Sequence, residues 1–517
     1  MEQQQVPRPR IVIFCDGTWC GREFGTRTNI YLLTQILGLN LDDPNTLAPR
    51  IKTRIRSSPN QFTSFLSSSP SGQEQERDRD QDEEDQEQDQ KVHIRYNHGV
   101  GLGSGFLDYL TNGITALDLA REVVEVYRFI VERYTPRHEI WMFGISRGAY
   151  TVRCVAGLIK NCGILRRRRR RSHRRSSTGG PDEGGEEEEE EEGEEEDEDV
   201  TLLAREAYRL YRSTNPLHDP HSSQMESFRK RNCWPLIGDF TTTPEKNPRP
   251  PIRFMGLFDT VGGLGIPTLG GDGFSWPEFH NTEISSVVQT VVHLLSVHDR
   301  IYIFQPCTAT RKDGNKQGIE EEWLPGCHYD LARQKFQFWR PVGKGASWWE
   351  GITSVVSRIP ILGWGKVIQP NEVLSDLALW KMLKRIGEND ACSQLIPRSV
   401  LAAEMANLAG CMLDRGRNVG SGDVYENIAE YGPFGSPIGK VVKKIAGGLG
   451  LWKLFFEIRE RVIDDDRAKK VYPFGSVDQA ILGLHTVEQL AAITPERYPS
   501  QTAEAWALRS GNARPDD

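Results

Sequence analysis

Gly144-Ile145-Ser146-Arg147-Gly148 is the stretch of this 517-residue chain that decides its fold. The apolar run Glu139-Ile-Trp-Met-Phe143 precedes it, and residues 149–159 follow with apolar side chains at helical spacing. A G-x-S-x-G sequence between a strand and a helix is typical of a nucleophile elbow, where a strained turn exposes the serine. Side chains at the positions of Gly144 and Gly148 would collide across that turn. The pattern predicts Ser146 as a nucleophile; the alternative is an ordinary surface serine in a glycine-rich turn.

A catalytic acid should follow the serine in the chain and end a buried strand. Ile252-Arg-Phe-Met-Gly-Leu-Phe258 has the composition of such a strand, and Asp259 comes directly after it. We therefore expect Asp259 to be the acid of a triad. The alternative is an aspartate that caps the next turn through backbone amides.

The base should lie on a loop after a later strand. His328 follows Trp323-Leu-Pro-Gly-Cys327, a strand-like segment with a Pro-Gly turn. His293 and His298 are the alternatives, but the run 284–298 has the pattern of a buried helix, where a histidine is more often a core or capping residue. His328 is thus predicted to take the proton of Ser146 when the serine attacks an acyl carbonyl.

The oxyanion hole of such an enzyme needs two backbone donors. The amide of Arg147, the residue after the serine, is one by geometry. Arg10-Ile-Val-Ile-Phe-Cys15 reads as a buried strand, and Asp16-Gly-Thr-Trp19 follows it. Because glycine lets the backbone approach a ligand closely, Gly17 or Thr18 is the predicted second donor.

A phosphatase of the haloacid-dehalogenase type also has a hydrophobic strand followed by D-G-T. That chemistry needs a nucleophilic aspartate two residues before the Asp of D-G-T, and Phe14 stands there. The glycine-rich segment Tyr96–Gly105 lacks the Lys-Ser/Thr of a phosphate-binding P-loop. Both nucleotide and phosphatase chemistry are therefore disfavoured.

Five separated motifs resemble one family when they are taken in order. The resemblance covers about residues 8–340 and is to the uncharacterised α/β-hydrolase domain family that includes the Tle-type phospholipase effectors of type VI secretion, with similarity to its fungal branch. The motifs are Cys15-Asp-Gly-Thr-Trp19, Thr28-Asn29, Phe143-Gly-Ile-Ser-Arg-Gly-Ala-Tyr-Thr-Val-Arg153, Leu257-Phe-Asp-Thr-Val-Gly262 and Pro325-Gly-Cys-His328.

The resemblance implies an α/β-hydrolase fold, a serine esterase triad that lands on Ser146, Asp259 and His328, and a lipid ester as substrate. One segment departs from the family. Many relatives follow the histidine with Ser-Asp-Ile-Gly-Gly-Gly-Tyr, whereas this chain has Tyr329-Asp-Leu-Ala-Arg333. The loop that carries the base is therefore expected to be shaped differently here.

The nine cysteines show no C-x-x-C pair, so neither a zinc site nor a disulfide framework is indicated. We expect no metal and no organic cofactor. The N-terminus has no apolar signal region, and no apolar run reaches about 18 residues. A cytoplasmic protein, with peripheral contact to membranes, is the expectation.

Two low-complexity segments, 57–90 and 166–199, are predicted to be disordered because they cannot bury enough apolar surface. Together they hold 25 of the 72 acidic and 10 of the 64 basic residues, so the formal charge of −8 becomes about +7 without them. That charge suits anionic lipid surfaces. The arginine run Arg166–Arg175 could serve nuclear targeting or nucleic acid binding, but the adjacent acidic block would neutralise it, so no nucleic acid partner is expected.

The chain divides, on this reasoning, into a hydrolase domain over 8–345, interrupted by those segments, and a mainly helical, aromatic-rich region over 346–517. Residues 371–385 form one predicted amphipathic helix there, and 401–413 another. Residues 441–456 flank an apolar face with Lys and Trp, as in membrane-contacting helices. The region either forms a lid or membrane-docking part, or simply packs on the hydrolase body.

The sequence thus predicts a serine hydrolase that cleaves carboxylic esters, with lipid or phospholipid acyl esters as substrates. The alternative is a catalytically silent hydrolase-fold protein that binds or scaffolds. A serine peptidase or an acyltransferase would use the same triad, so both also stay open. The oligomeric state stays open.

Overall fold

The structure is a computed structural model of the 517-residue chain. It describes residues 8–17, 27–39, 54–56, 92–99, 116–166, 200–235, 250–262, 268–270, 273–275, 283–297, 299, 305–311, 317–324, 326–337, 367–390, 395–415 and 470–471.

Eight strands form one mixed sheet in the order β2-β3-β1-β4-β5-β8-β9-β12. All neighbouring pairs are parallel except β2 and β3, which are antiparallel. The strands are β1 (Arg10–Cys15), β2 (Arg54–Arg56), β3 (Val92–Asn97), β4 (Glu139–Ile145), β5 (Ile252–Phe258), β8 (Val288–Ser296), β9 (Gly318–Leu324) and β12 (Lys470–Val471). Two short pairs stand apart: β6 (Thr268–Gly270) with β7 (Gly273–Ser275), and β10 (Phe336–Gln337) with β11 (Val367–Ile368).

The described helices cover both faces of the sheet. They are α1 (Asn29–Ile36), α2 (Ala116–Arg133), α3 (Arg147–Cys162), α4 (200–211), α5 (Ser223–Asn232), α6 (His328–Ala332), α7 (Glu372–Asn389) and α8 (Arg398–Arg415). None of these helices is long and apolar enough to cross a membrane.

Strand β1 shows why the core has two layers. Its side chains alternate between the faces of the sheet, so Ile11 and Ile13 join one buried cluster and Val12 and Phe14 join the other. The first cluster includes side chains of α2 and α3; the second includes α1 and α7. A parallel strand buried on both faces needs a continuous apolar sequence, which β1 has. The prediction of an α/β fold with a mostly parallel sheet is therefore confirmed.

Helix α7 packs directly on the sheet. Leu377, Met382 and Leu383 are fully buried in the second cluster. Two of its cations reach Glu322 of β9: Lys381 Nζ lies 3.1 Å from Oε2, and Arg385 Nη2 lies 2.5 Å from Oε1. Helix α7 is thus packed on the sheet, and a lid or membrane-docking role for region 346–517 stays a prediction. The division of the chain at residue 345 stays a prediction.

One prediction about secondary structure is wrong. Residues 284–298 were expected to form a buried helix, but Val288–Ser296 is strand β8 in the middle of the sheet. The β-branched residues of this run favour a strand, and burial on both faces removes the alternating pattern that would have identified it. His298 lies outside the described residues, as do 57–90, 167–199 and 441–456.

Candidate active site

Ser146 stands at the junction between β4, which ends at Ile145, and α3, which begins at Arg147. Its backbone has φ 56° and ψ −123°, a strained conformation for a residue with a side chain. A Cβ on Gly144 would lie 2.6 Å from the Cα of Ala149. A Cβ on Gly148 would lie 2.2 Å from the carbonyl oxygen of Cys15. Both glycines are therefore required by close backbone approach, one within the turn and one against the end of β1.

The structure brings the three predicted triad residues together. His328 Nε2 lies 2.9 Å from Ser146 Oγ, and His328 Nδ1 lies 2.7 Å from Asp259 Oδ2. All three side chains are buried. A serine hydroxyl that donates to Nε2 requires the ring proton on Nδ1, where it donates to the carboxylate. This is the geometry that general-base activation of a serine needs.

Asp259 begins the turn after β5, and β5 lies next to β4, the strand that precedes Ser146. Its φ is 41°, and it is one of three non-glycine residues with positive φ in the described part of the chain, with Ser146 and Arg333. Such a conformation costs about 1–3 kcal/mol and needs support from its surroundings. Ser296 gives that support, since its amide donates to Oδ1 at 3.0 Å and its hydroxyl to Oδ2 at 3.1 Å.

His328 is the first residue of the short helix α6. Its own amide donates to Asp299 Oδ2 at 2.9 Å. The turn before it is closed by Asp330, whose Oδ2 accepts from the amide of Cys327 at 2.9 Å. The other carboxylate oxygen of Asp330 accepts from the amide of Asn371 at 2.7 Å, just before α7. The loop that carries the histidine is thus fixed to helix α7.

Asn29 fixes the same loop from the other side. Its Nδ2 donates to the carbonyl of Leu331 at 2.8 Å and to that of Ser375 at 2.9 Å. Arg333, which has φ 56°, donates to Asn29 Oδ1 at 3.1 Å and pairs with Asp376. Sequence reasoning gave Asn29 no role beyond the Thr28-Asn29 motif, which was the available signal.

His293, the alternative candidate for the base, has other hydrogen-bond partners. It lies on β8, its Nε2 is 3.1 Å from the amide of Thr260, and its Nδ1 is 3.1 Å from Glu321 Oε1. Since both ring nitrogens face these groups, the structure places His328, and not His293, against Ser146.

The loop after β1 packs on the first turn of α3. The carbonyl oxygens of Cys15 and Asp16 lie against Gly148. Gly17 donates its amide to Asp16 Oδ1 at 3.1 Å. Arg147 is the first residue of α3 and directly follows Ser146. Thr18 lies outside the described residues.

Asp16 organises this loop, a role that its place in the D-G-T motif did not predict. The buried carboxylate accepts from the hydroxyls of Tyr96 and Thr28, the latter at 2.8 Å. Thr28 in turn caps α1 by accepting from the amide of Tyr31 at 3.0 Å. Asp16 therefore joins β3, α1 and the loop beside the serine.

Two thiols flank the site. Burial, followed by the negative charge of Glu122, raises the pKa of the Cys15 thiol well above its ordinary value. Burial, followed by Asp330, does the same to the pKa of Cys327. Both thiols are therefore protonated and poor nucleophiles at neutral pH. Within the described ranges, no group of three or more His, Cys, Asp or Glu side chains is arranged to hold a metal ion.

The chain is similar to known proteins in sequence and in structure. Over 194 residues, 38% of this chain, it is 25% identical to an uncharacterized protein of Saccharomyces cerevisiae. The matched part is 22% of that yeast protein, so the chain spans about a fifth of this relative's length.

Two solved structures are similar at 14% sequence identity. One is the Tle1 effector bound to the VgrG spike from the type 6 secretion system, with a TM-score of 0.29, covering 83% of this chain and 87% of that one. The other is an uncharacterized protein from Pseudomonas aeruginosa, with a TM-score of 0.27, covering 97% and 66%.

The family comparison is the decisive one. The model described as "T6SS, Phospholipase effector Tle1-like, catalytic domain" matches residues 73–384, which is more than half of the chain. That range includes β4, β5 and β9, the strands that precede Ser146, Asp259 and His328. The chain therefore belongs to the family of Tle1-like phospholipase effector catalytic domains.

Proposed function

We propose that the protein is a serine hydrolase that cleaves carboxylic esters, with lipid or phospholipid acyl esters as its substrates. The observation that carries this proposal is the chain of two hydrogen bonds from Asp259 through His328 to Ser146, of 2.7 and 2.9 Å. The lipid substrate class rests on membership of a phospholipase family.

In the first half of the reaction, Ser146 Oγ adds to the acyl carbonyl while His328 Nε2 takes the hydroxyl proton. The tetrahedral intermediate then collapses, and the alcohol leaves with that proton, so the acyl group stays on Ser146. In the second half, His328 takes a proton from water, which attacks the acyl-serine ester. The second tetrahedral intermediate then collapses, His328 returns the proton to Ser146 Oγ, and the fatty acid leaves. Asp259 holds the ring tautomer and stabilises the imidazolium in both halves.

Backbone amides would stabilise the oxyanion of each tetrahedral intermediate. We assign one donor to Arg147, at the N-terminus of α3. The second is drawn from Gly17 and Thr18. Because the Gly17 amide already donates to Asp16 Oδ1 at 3.1 Å, Thr18 is the donor that we favour.

A substrate of this class lies in a bilayer, so we also infer peripheral contact with anionic membranes. The formal charge outside 57–90 and 166–199, about +7, supports this inference. Binding to phosphatidylserine vesicles should then fall as ionic strength rises through 0.15 M, where the Debye length is about 8 Å. Binding that does not depend on salt would contradict an electrostatic contact.

A substrate panel tests the proposal. The wild-type chain and Ser146→Ala are given p-nitrophenyl butyrate and phosphatidylcholine vesicles, and the release of p-nitrophenol and of fatty acid is measured. Wild type should hydrolyse both, and the variant should lose at least about 10³-fold in kcat. If wild type binds the vesicles but releases no product from either substrate, the protein is a catalytically silent binding protein instead.

A further inference from the structure

A second histidine–carboxylate pair, formed by His293 and Glu321, contacts the peptide that follows Asp259. His293 on β8 and Glu321 on β9 are register partners of neighbouring parallel strands, so their side chains share one face of the sheet. His293 Nδ1 lies 3.1 Å from Glu321 Oε1, and the two residues are 0% and 3% exposed. The same carboxylate oxygen accepts from the amide of Ala309 at 2.5 Å.

The backbone amide of Thr260 determines which ring nitrogen of His293 carries the proton. The backbone amide of Thr260 can only donate, and it lies 3.1 Å from His293 Nε2. Nε2 is therefore the acceptor nitrogen, and the ring proton is on Nδ1, where it donates to Glu321. His328 has the same arrangement, with the hydroxyl of Ser146 in the place of the amide.

The pair contacts the turn that begins at Asp259, the acid of the proposed triad. Three amides of this turn donate hydrogen bonds: Asp259 to the carbonyl of Leu294 at 2.7 Å, Val261 to that of Ser146 at 3.4 Å, and Thr260 to His293. Of these three hydrogen bonds, the one from Thr260 is made to a side chain. It holds the peptide that links Asp259, at φ 41°, to Thr260.

We propose that His293 and Glu321 are positioning residues for the reaction proposed above, on which this inference rests. They hold the Asp259–Thr260 peptide so that the carboxylate of Asp259 faces His328 Nδ1. Neither residue touches the reacting atoms. Glu321 fixes the tautomer of His293, and His293 fixes the backbone of the acid, because a ring with its proton on Nε2 would oppose the Thr260 amide instead of accepting from it.

Four variants separate positioning from mere packing. His293→Phe and Glu321→Met keep bulk but remove the acceptors, whereas His293→Gln and Glu321→Gln keep an acceptor oxygen. Val291→Ala, on the same strand, is the packing control. With p-nitrophenyl butyrate, the Phe and Met variants should lose about 10²-fold in kcat at unchanged KM, as expected for a small misplacement of catalytic groups. The two Gln variants should stay within about tenfold of wild type.

Thermal unfolding of the same proteins supplies the comparison. Val291→Ala should lower Tm and leave kcat unchanged, since it leaves a cavity in the first buried cluster but removes no hydrogen bond to the turn of Asp259. If His293→Phe keeps wild-type kcat, or if the Gln variants lose as much kcat as the Phe and Met variants, the pair is structural and the proposal is overturned.

A second readout does not require turnover. Ring N–H protons bonded to carboxylates give downfield proton NMR signals, and His328→Ala identifies the one from His328. His293→Phe should remove its own signal and shift that of His328; an unshifted His328 signal overturns the positioning role. If wild type hydrolyses no ester, the proposed function fails, while this signal still decides whether His293 positions Asp259.

Discussion

Asp259 and His328 are 69 residues apart in the chain, and their Oδ2 and Nδ1 atoms lie 2.7 Å apart. Each residue is also held by a neighbouring group. Ser296 holds the carboxylate with two hydrogen bonds, and Asp299 holds the backbone of the histidine at 2.9 Å. The contact is thus set by two segments at and just after the end of β8, before any substrate is present.

Asp259→Asn should leave the fold intact and lower kcat by about 10⁴-fold. Asparagine tolerates the positive φ of this position, and its carbonyl oxygen can still accept from the amide of Ser296. The amide group of asparagine, however, donates to His328 Nδ1, so the ring proton lies on Nε2. A protonated Nε2 cannot accept the hydroxyl proton of Ser146. Steady-state kinetics on a soluble ester measures the loss.

Circular dichroism and Tm are the controls for that variant. A folded Asp259→Asn protein with kcat within tenfold of wild type would show that Asp259 is only a turn-capping residue, the alternative that its position after a strand leaves open.

Much of this site could be predicted from sequence because its residues follow strands with continuous apolar runs. Strands β4 and β5 end directly before Ser146 and Asp259, and β9 ends four residues before His328. Parallel strands place such ends at one edge of the sheet. Asp16 also follows a strand, but its role and that of Asn29 could not be predicted, because these roles depend on loops that meet only in the fold.

The burial of Glu321 and Glu322, in the run Glu320-Glu321-Glu322, could not be predicted from sequence either. Three consecutive acids suggest a solvated strand, yet Glu321 and Glu322 are both buried. Successive side chains of a strand point to opposite faces, so Glu321 meets His293 while Glu322 meets Lys381 of α7. Each carboxylate is buried because it has a partner, and only the tertiary structure supplies those partners.

Gly148→Ala should destabilise the protein by about 1–3 kcal/mol, as overpacking does, and lower activity. The new Cβ would lie 2.2 Å from the carbonyl oxygen of Cys15 and 2.5 Å from that of Asp16, so backbone must move beside Ser146. Gly410→Ala is the matched control. It lies in α8 with nothing within 4 Å of the added Cβ, and should stabilise by up to about 1 kcal/mol. Equal Tm values for the two variants would refute the contact with β1.

The ion pairs of Glu322 predict a pH dependence of stability. Burial opposes ionisation, but Lys381 and Arg385 outweigh it and hold the pKa of Glu322 below its ordinary value. A carboxyl with a lowered folded pKa contributes stability that is present above the unfolded value, about 4.3, and is lost as pH falls through the folded pKa. Glu322→Gln should therefore lower Tm at pH 7, where it removes the carboxylate charge that faces Lys381 and Arg385, and the difference from wild type should shrink below about pH 4.

Glu388 offers the control for that titration. It also pairs with Arg385, at 2.7 Å, but its side chain is 43% exposed. Exposed pairs contribute about 1 kcal/mol or less, so Glu388→Gln should change Tm little at either pH. A difference between wild type and Glu322→Gln that stays constant from pH 7 to pH 3 would show that the charge of Glu322 does not stabilise the packing of α7.

Mass spectrometry of the protein after reaction with a fluorophosphonate tests whether His328 activates Ser146 as a nucleophile. The reagent phosphonylates a serine only when a neighbouring base activates it. We expect one adduct per chain, on the peptide that contains Ser146. It should be absent from Ser146→Ala and form at least about 10³-fold more slowly in His328→Ala. Rapid labelling of another residue, or of none in a folded wild-type protein, would contradict this expectation.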